Sequence, residues 1–237
     1  TTTDQYPYST VKQLSQVVAD ANVSAPAYSL DSMNYIRNSV KATVDAYTGK
    51  VTLYAWDPND PLLKTWEKIF PATIKPRSEM STALLAHVRY PQDLFNVQRS
   101  LLTPYHVSDP TAFYNGSTFW QVPNDPTFAA PRRLNSLGKK VSVSAPSQPS
   151  VYMTVSADGG SPAAFSLTSP LVTLNRRNLS AVLTVDSQPG PDYGKLRLLE
   201  LPSSLSIESP SQIQNDIETK TNIAQQLTLL RGGNVRV

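Results

Sequence analysis

At 237 residues the chain is long enough to bury a sizeable core, as one large domain or two small ones, and 40% hydrophobic with 16% charged residues is a globular balance. A net charge of +3, with basic residues scattered apart from Arg132-Arg133, Lys139-Lys140 and Arg176-Arg177, does not point to a nucleic-acid partner. The absence of cysteine excludes disulfides, Cys-ligated zinc and thiol catalysis, and no apolar run reaches the roughly 18–20 residues that span a bilayer.

In chain order, the spacing of Val11, Leu14, Val17 and Val18 predicts a helix over 9–21, with Ser9 as its cap. The clearest strand signal follows at 34–57. There Val40, Ala42, Val44 and Ala46 alternate with Lys41, Thr43, Asp45 and Tyr47, and a turn at Thr48-Gly49-Lys50 sends Val51 to Trp56 back as a hairpin. Asp60 before Pro61 reads as a cap with proline in the first turn, opening a helix with an apolar stripe of Leu62, Leu63, Trp66, Ile69 and Phe70.

Residues 79–120 hold both histidines and the best helix punctuation, and read as a helical layer against a sheet. Ser78 is expected to cap a helix with Leu84, Leu85 and Val88 inward. Pro91 ends it and starts a second, with Asp93 at the positive end and Leu94, Val97, Leu101 and Leu102 buried before Pro104. A short third helix runs from Ser108-Asp109-Pro110 to Asn115-Gly116. Residues 122–148, rich in Pro, Ser and basic side chains, read as a long surface excursion. Strands are expected at 151–156, 164–168, 179–186 and 195–201. The capping box Ser209-Pro210-Ser211-Gln212 then opens a helix with Ile213, Ile217, Ala224 and Leu227 along one side, ended by Gly232-Gly233. This order of elements predicts one α+β domain over 1–237, a largely antiparallel sheet covered by several helices.

Motifs with chemistry are sparse. Ser9-Thr10-Val11-Lys12 matches S-x-x-K without its companion motifs, and Asp57, Asn59 and Asp60 resemble the front of a calcium loop that lacks its glycine and closing glutamate. His87 and His106 share no metal-ligand spacing, and no G-x-S-x-G elbow is present. Neither catalytic nor metal-binding residues are assigned, and no cofactor is expected. The helix corner Arg89-Tyr90-Pro91-Gln92-Asp93 is mostly a structural reading. Its alternative is a recognition edge formed by His87, Arg89, Tyr90, Asp93, Tyr105, His106, Tyr114 and Trp120. Sequons at Asn22, Asn115 and Asn178 matter only in a glycosylating host.

Three stretches, in order, carry a resemblance: NYIRNSVKATVDAYTGKVTLYAWDPNDPLLKTWEKIFP, AHVRYPQDLFNVQRSLLTPYHVSDPTAFY and LTVDSQPGPDYGKLRLLELP. Together they resemble an uncharacterised family of large multi-pass membrane proteins common in actinobacteria, number 0182 among the uncharacterised protein families. The match runs from about Thr1 to Leu230 and is weakest over 122–148. It implies transmembrane helices N-terminal to this chain and a large region outside the cytoplasm, of which this chain is much; the lack of a starting Met suits a piece of something larger. The family brings no activity or site residues to carry over. The expectation is therefore an extracytoplasmic interaction or ligand-binding domain of a cell-envelope membrane protein. Its partners would be its own transmembrane region, another envelope protein, a lipid or a glycan. The alternatives are an envelope hydrolase or transferase on glycans or lipids, and a gating part of a transporter. A concave cluster of titratable groups around a histidine favours the enzyme, and a broad exposed apolar patch favours the interaction module.

Overall fold

The computed structural model describes residues 2–3, 34–128, 133–134, 140–141, 145–156, 160 and 162–229; the helix expected at 9–21 and the glycine stop at 232–233 lie outside them. The chain is α+β. Strand β1 (Thr2–Thr3) pairs with β2 (Tyr35–Ile36), and β3 (Val40–Val44) and β4 (Val51–Ala55) then form the expected hairpin. Val44 lies opposite Val51, so residues 45–50 close the turn, longer than the three-residue tip that the glycine suggested. The Asp45 carboxylate accepts the N–H groups of Tyr47 (2.9 Å) and Thr48 (2.8 Å), a local turn that competes with further pairing, and Gly49 supplies the left-handed step at φ 69°. Helix α1 (Pro61–Ile69) carries the chain over to β5 (Ile74–Pro76), which pairs with β4 in parallel, as a crossover connection requires.

The cap of α1 is as expected. Asp60 accepts the Leu62 N–H (3.1 Å) and binds the hydroxyls of Tyr35 (2.9 Å) and Ser39, so the calcium-like acids are turn and cap groups. The stripe of α1 is not covered as expected. Leu63 is buried, whereas Trp66, Ile69 and Phe70 are each more than half exposed. A 3-10 turn at Arg77–Glu79 takes the place of the predicted helix start, and α2 (Thr82–His87) is capped by Ser81, whose Oγ accepts the Leu84 N–H (3.3 Å). Helix α3 (Gln92–Tyr105) buries Phe95, Asn96, Arg99 and Thr103 and leaves Leu101 exposed. The buried face is thus rotated from the leucine stripe, because polar groups on it find partners. The Arg99 guanidinium donates to Ser169 Oγ (3.0 Å) and the Gln148 carbonyl (3.1 Å), and Asn96 accepts from Ser150 Oγ (2.9 Å). Pro104 sits inside the last turn, and the Thr103 hydroxyl donates to the Ser100 carbonyl (2.7 Å) that proline leaves open. Helix α4 (Pro110–Asn115) runs from its Asp109 cap to Gly116 at φ 62°, as expected.

The larger sheet has β6 (Trp120–Gln121), β9 (Val151–Val155), β10 (Ala164–Thr173), β11 (Leu179–Asp186) and β12 (Leu196–Glu200), all antiparallel, ordered β12-β11-β10-β6 with β9 also on β10. Between β6 and β9, residues 123–125 and 146–148 are bonded to each other (Gln148 N–H to Pro123 O, 2.7 Å; Asp125 N–H to Pro146 O, 2.8 Å), and β7 (Arg133–Leu134) pairs with β8 (Lys140–Val141). Strand β10 runs five residues beyond its expected end. Pro170, which has no N–H to donate, falls where β9 has ended at Thr168 and β6 has not begun at Val172. Leu167, Leu171, Ala181, Leu183 and Val185 form one face of the sheet and pack with Tyr90, Phe95 and Trp120 as the main core. A second cluster joins Tyr54, Trp56 and Met80, and Tyr193 packs against both. After the Ser209 cap, whose N–H donates to Gln212 Oε1 (2.9 Å), the expected single helix is two: α5 (Pro210–Thr219) and α6 (Thr221–Leu229). Lys220, flanked by two threonines, is extended at ψ 117°, and its carbonyl accepts the Ile223 N–H. Gln214, not Ile213, is the buried side chain of α5.

Candidate functional site

The corner between α2 and α3 is held by its backbone. The Arg89 carbonyl accepts Lys41 Nζ (2.9 Å) and the Tyr193 hydroxyl (3.0 Å), and the Tyr90 carbonyl accepts the Tyr152 hydroxyl. Tyr90 itself is buried and donates to Gln98 Oε1 (2.9 Å). The Arg89 guanidinium donates to the Ala86 carbonyl in the last turn of α2 and to that of Val88, the residue that caps it, and lies over the Phe165 ring. Gly194, at φ 79°, has the Tyr90 ring against its Cα, where a Cβ would meet it at 3.2 Å.

Around the corner, Lys41 (5.5 Å from the ring centre) and Arg77 (4.1 Å) both lie over the Trp56 ring, with Tyr193 edge-on at 5.1 Å. Burial holds the Lys41 ammonium down to about 8, and burial raises the Tyr193 hydroxyl well above the ordinary tyrosine range. These groups fasten the three-stranded sheet to the helical layer. Asp93 lies half-buried in the first turn of α3, and His87 is exposed with its Nδ1 on the carbonyl of Ala83 in its own helix (2.8 Å).

The other candidates lie at the far end of α3, about 20 Å away for 14 residues of helix. His106 stacks on Trp120 with ring centres 3.5 Å apart and planes within 7°. Its Nδ1 faces the Leu102 carbonyl (3.1 Å), so the neutral ring carries its proton there and leaves Nε2 as an acceptor. Tyr105 packs on Phe113 (5.9 Å), and Tyr114 is 90% exposed. Two concavities open here. A recess of about 590 Å³ lies between Tyr105, Phe113, Tyr114 and Phe119. A cleft of about 710 Å³ lies between His106, the β10–β11 turn with Arg176 and Arg177, and the serine-rich segment after Glu200.

The model of an uncharacterised protein family, UPF0182, matches residues 1–230. The chain belongs to that family. UPF0182 proteins from Clavibacter michiganensis subsp. michiganensis (47% identical) and Leifsonia xyli subsp. xyli (48%) match over the whole chain, as does one from Streptomyces coelicolor (46%). The chain spans about a quarter of the length of these UPF0182 relatives, 24%, 24% and 23% respectively. No solved structure matches it.

In this UPF0182 chain the eight residues read as one recognition edge therefore divide. Arg89, Tyr90 and Asp93 are at one end of α3, Tyr105, His106, Tyr114 and Trp120 are at the other, and His87 is on α2. Among the described residues no group of three histidine, aspartate or glutamate side chains is placed to hold a metal ion, and no helix is long and apolar enough to cross a membrane. Sequence reasoning passed over Lys41, Trp56 and Tyr193 at the corner, which no motif joins. It noted Arg176-Arg177 only as a basic spot, although two arginines on a tight turn between strands are a signal that a cationic group projects from a sheet end.

Proposed function

We propose that this region is an extracytoplasmic interaction domain of a multi-pass cell-envelope membrane protein, and that it docks another part of its own polypeptide through α1. One observation carries the reading: Trp66, Ile69 and Phe70, neighbours on one helix face at i, i+3 and i+4, are each more than half exposed, with Trp66 and Phe70 stacked at 5.6 Å. A contiguous apolar face of this kind is a contact surface more often than a solvated one, and burying the exposed half of each such side chain is worth about 1 kcal/mol. The occupant is argued from length, since about three quarters of each of these relatives lies outside the matched region.

Residues 1–237 have no cysteine, so once any thiol elsewhere in the full-length protein is replaced by serine, a single introduced one is a clean probe. Ile69→Cys in the full-length protein is labelled with a benzophenone maleimide, irradiated in native membranes and mapped by mass spectrometry. The expected product joins residue 69 to a peptide of the same polypeptide outside 1–237. Crosslinks only to lipid, to a second copy or to another protein, or none at all, overturn the docking. The location has its own test: Tyr47→Cys, at the fully exposed hairpin tip, is labelled by a membrane-impermeant maleimide on intact cells. Labelling only after lysis puts the domain on the other side.

A further inference from the structure

We propose that the cleft beside His106 binds a phosphorylated sugar or polyol. The walls are fixed by backbone bonds. Asn175, at φ 61°, and the Arg176 N–H to Thr173 carbonyl bond (2.9 Å) shape the β10–β11 turn that carries Arg176 and Arg177 into the cleft. The opposite wall, residues 202–206, is pinned on either side to β11 by Leu201 N–H to Ser180 O and Leu179 N–H to Ile207 O, both 2.9 Å. Asn178 bonds across to the Ser206 hydroxyl and ties the turn to that wall.

The inner surface keeps its donors unspent. Arg176 and Arg177 make no ion pair among the described residues, and the side chains of Ser117, Thr118, Ser203 and Ser204 make no hydrogen bond among them. Two guanidiniums against one carboxylate, Glu200, leave the cleft net positive. Guanidinium forks match phosphate oxygens two at a time, so adjacent arginines at a sheet end suit a phosphate better than a lone carboxylate. The hydroxyls and the His106 Nε2 acceptor suit a ligand with several O–H groups of its own. A nucleobase is disfavoured, because the Trp120 ring is buried and one of its faces is already covered by His106. A volume of about 710 Å³ accommodates a sugar phosphate with room for whatever the phosphate is attached to. The cleft and the α1 face share no residue, so either proposal can fail while the other stands.

The test is calorimetric titration of the full chain with glucose 6-phosphate, inositol 1-phosphate, glucose, inorganic phosphate and AMP. The phosphorylated polyols are expected to bind at least about tenfold more tightly than glucose, inorganic phosphate or AMP, the margin of one charge-assisted contact. Arg176→Ala with Arg177→Ala is expected to weaken that binding by about tenfold or more. Glu200→Gln is expected to strengthen it about two- to fivefold by lifting a like charge, a gain that misfolding does not produce. Vesicles containing phosphatidylinositol that displace inositol 1-phosphate assign the group to a lipid headgroup, and vesicles that do not assign it to a soluble or polymeric source. Binding no tighter than that of glucose, phosphate or AMP, or an unchanged affinity in the double-arginine variant, overturns the proposal.

Discussion

In the five-stranded sheet, β10 and β11 are withdrawn from solvent on both faces: Ser166, Leu167, Thr168 and Ser169 are all buried in succession, as are Leu183, Thr184, Val185 and Asp186. In the three-stranded sheet, cover is lost toward the hairpin tip, where the cross-strand pair Val44 and Val51 is 65% and 57% exposed. The difference does not lie in apolar content. Several polar side chains in β10 and β11 are buried with partners, Ser166 bonded to Asp186 and Asp186 paired with Arg197, although the Thr168 hydroxyl is buried without one among the described residues. In the hairpin the face carrying Lys41, Thr43, Tyr54 and Trp56 is drawn in by the aromatic and cationic contacts at the corner, and the face carrying Ala42, Val44 and Val51 is left out. What lies opposite a strand decides which face is buried. Alternation alone only tells the two faces apart.

The contrast breaks first if the main core is weaker than its burial says. Phe95, fully buried between α3 and the larger sheet, should cost about 3–5 kcal/mol as Phe95→Ala by urea unfolding. A loss under about 1 kcal/mol would mean that the face of α3 is not seated as described. Next comes Asp60, which holds the smaller sheet to α1. Asp60→Ala removes the cap and the carboxylate that accepts from the Ser39 and Tyr35 hydroxyls, and should cost about 2–3 kcal/mol. Asp60→Asn, which keeps an acceptor oxygen, should recover part of that loss.

Lys41 sharpens the comparison through pH. Its ammonium titrates at about 8 in the folded chain against an ordinary value near 10.5. Below pH 8 both states are charged and the folded one bears the cost of burial. Between 8 and 10.5 the unfolded chain binds more protons, so stability rises with pH. The contribution should be on the order of 1–2 kcal/mol, since the ring contacts and the Arg89 carbonyl offset part of the burial. Tyr90, Tyr152 and Tyr193, whose hydroxyls are raised by burial, act in the opposite direction above pH 10, so the comparison belongs at about pH 7.5 against 9.5. Lys41→Met should remove the rise. An equal rise in the variant would locate it elsewhere.

The elements whose signals are local could be read from the sequence: the hairpin strands, the Asp60 and Asp109 caps, the Gly116 stop, and β11 to the residue. The turn at 45–50 and the break at Lys220 are local misreadings, and the others depend on distant partners. The rotated face of α3 needs Ser169 and Gln148 to satisfy Arg99, some 70 and 49 residues away in sequence. Strand β10 passes through Pro170 only because the neighbouring strands leave a gap there, and the exposed stripe of α1 differs from a core stripe in nothing that the sequence states. The candidate site divided for the same reason. His106 and Trp120 meet ring on ring across a turn, whereas Tyr90 and Arg89 are neighbours in sequence but serve the other end of the helix.

The smallest expected effect bears most directly on the contrast. If Val44 and Val51 are surface residues in the folded chain, Val44→Thr and Val51→Thr, which keep the β-branched shape, should each change stability by less than about 0.5 kcal/mol. The equivalent change in the larger sheet, Val185→Thr, places a hydroxyl in a fully buried apolar cluster and should cost several times more. Urea unfolding of the three variants side by side decides it. Equal losses at Val44 and Val185 would mean that something covers the hairpin even in the isolated chain, and the two sheets would then no longer differ in the way their burial implies.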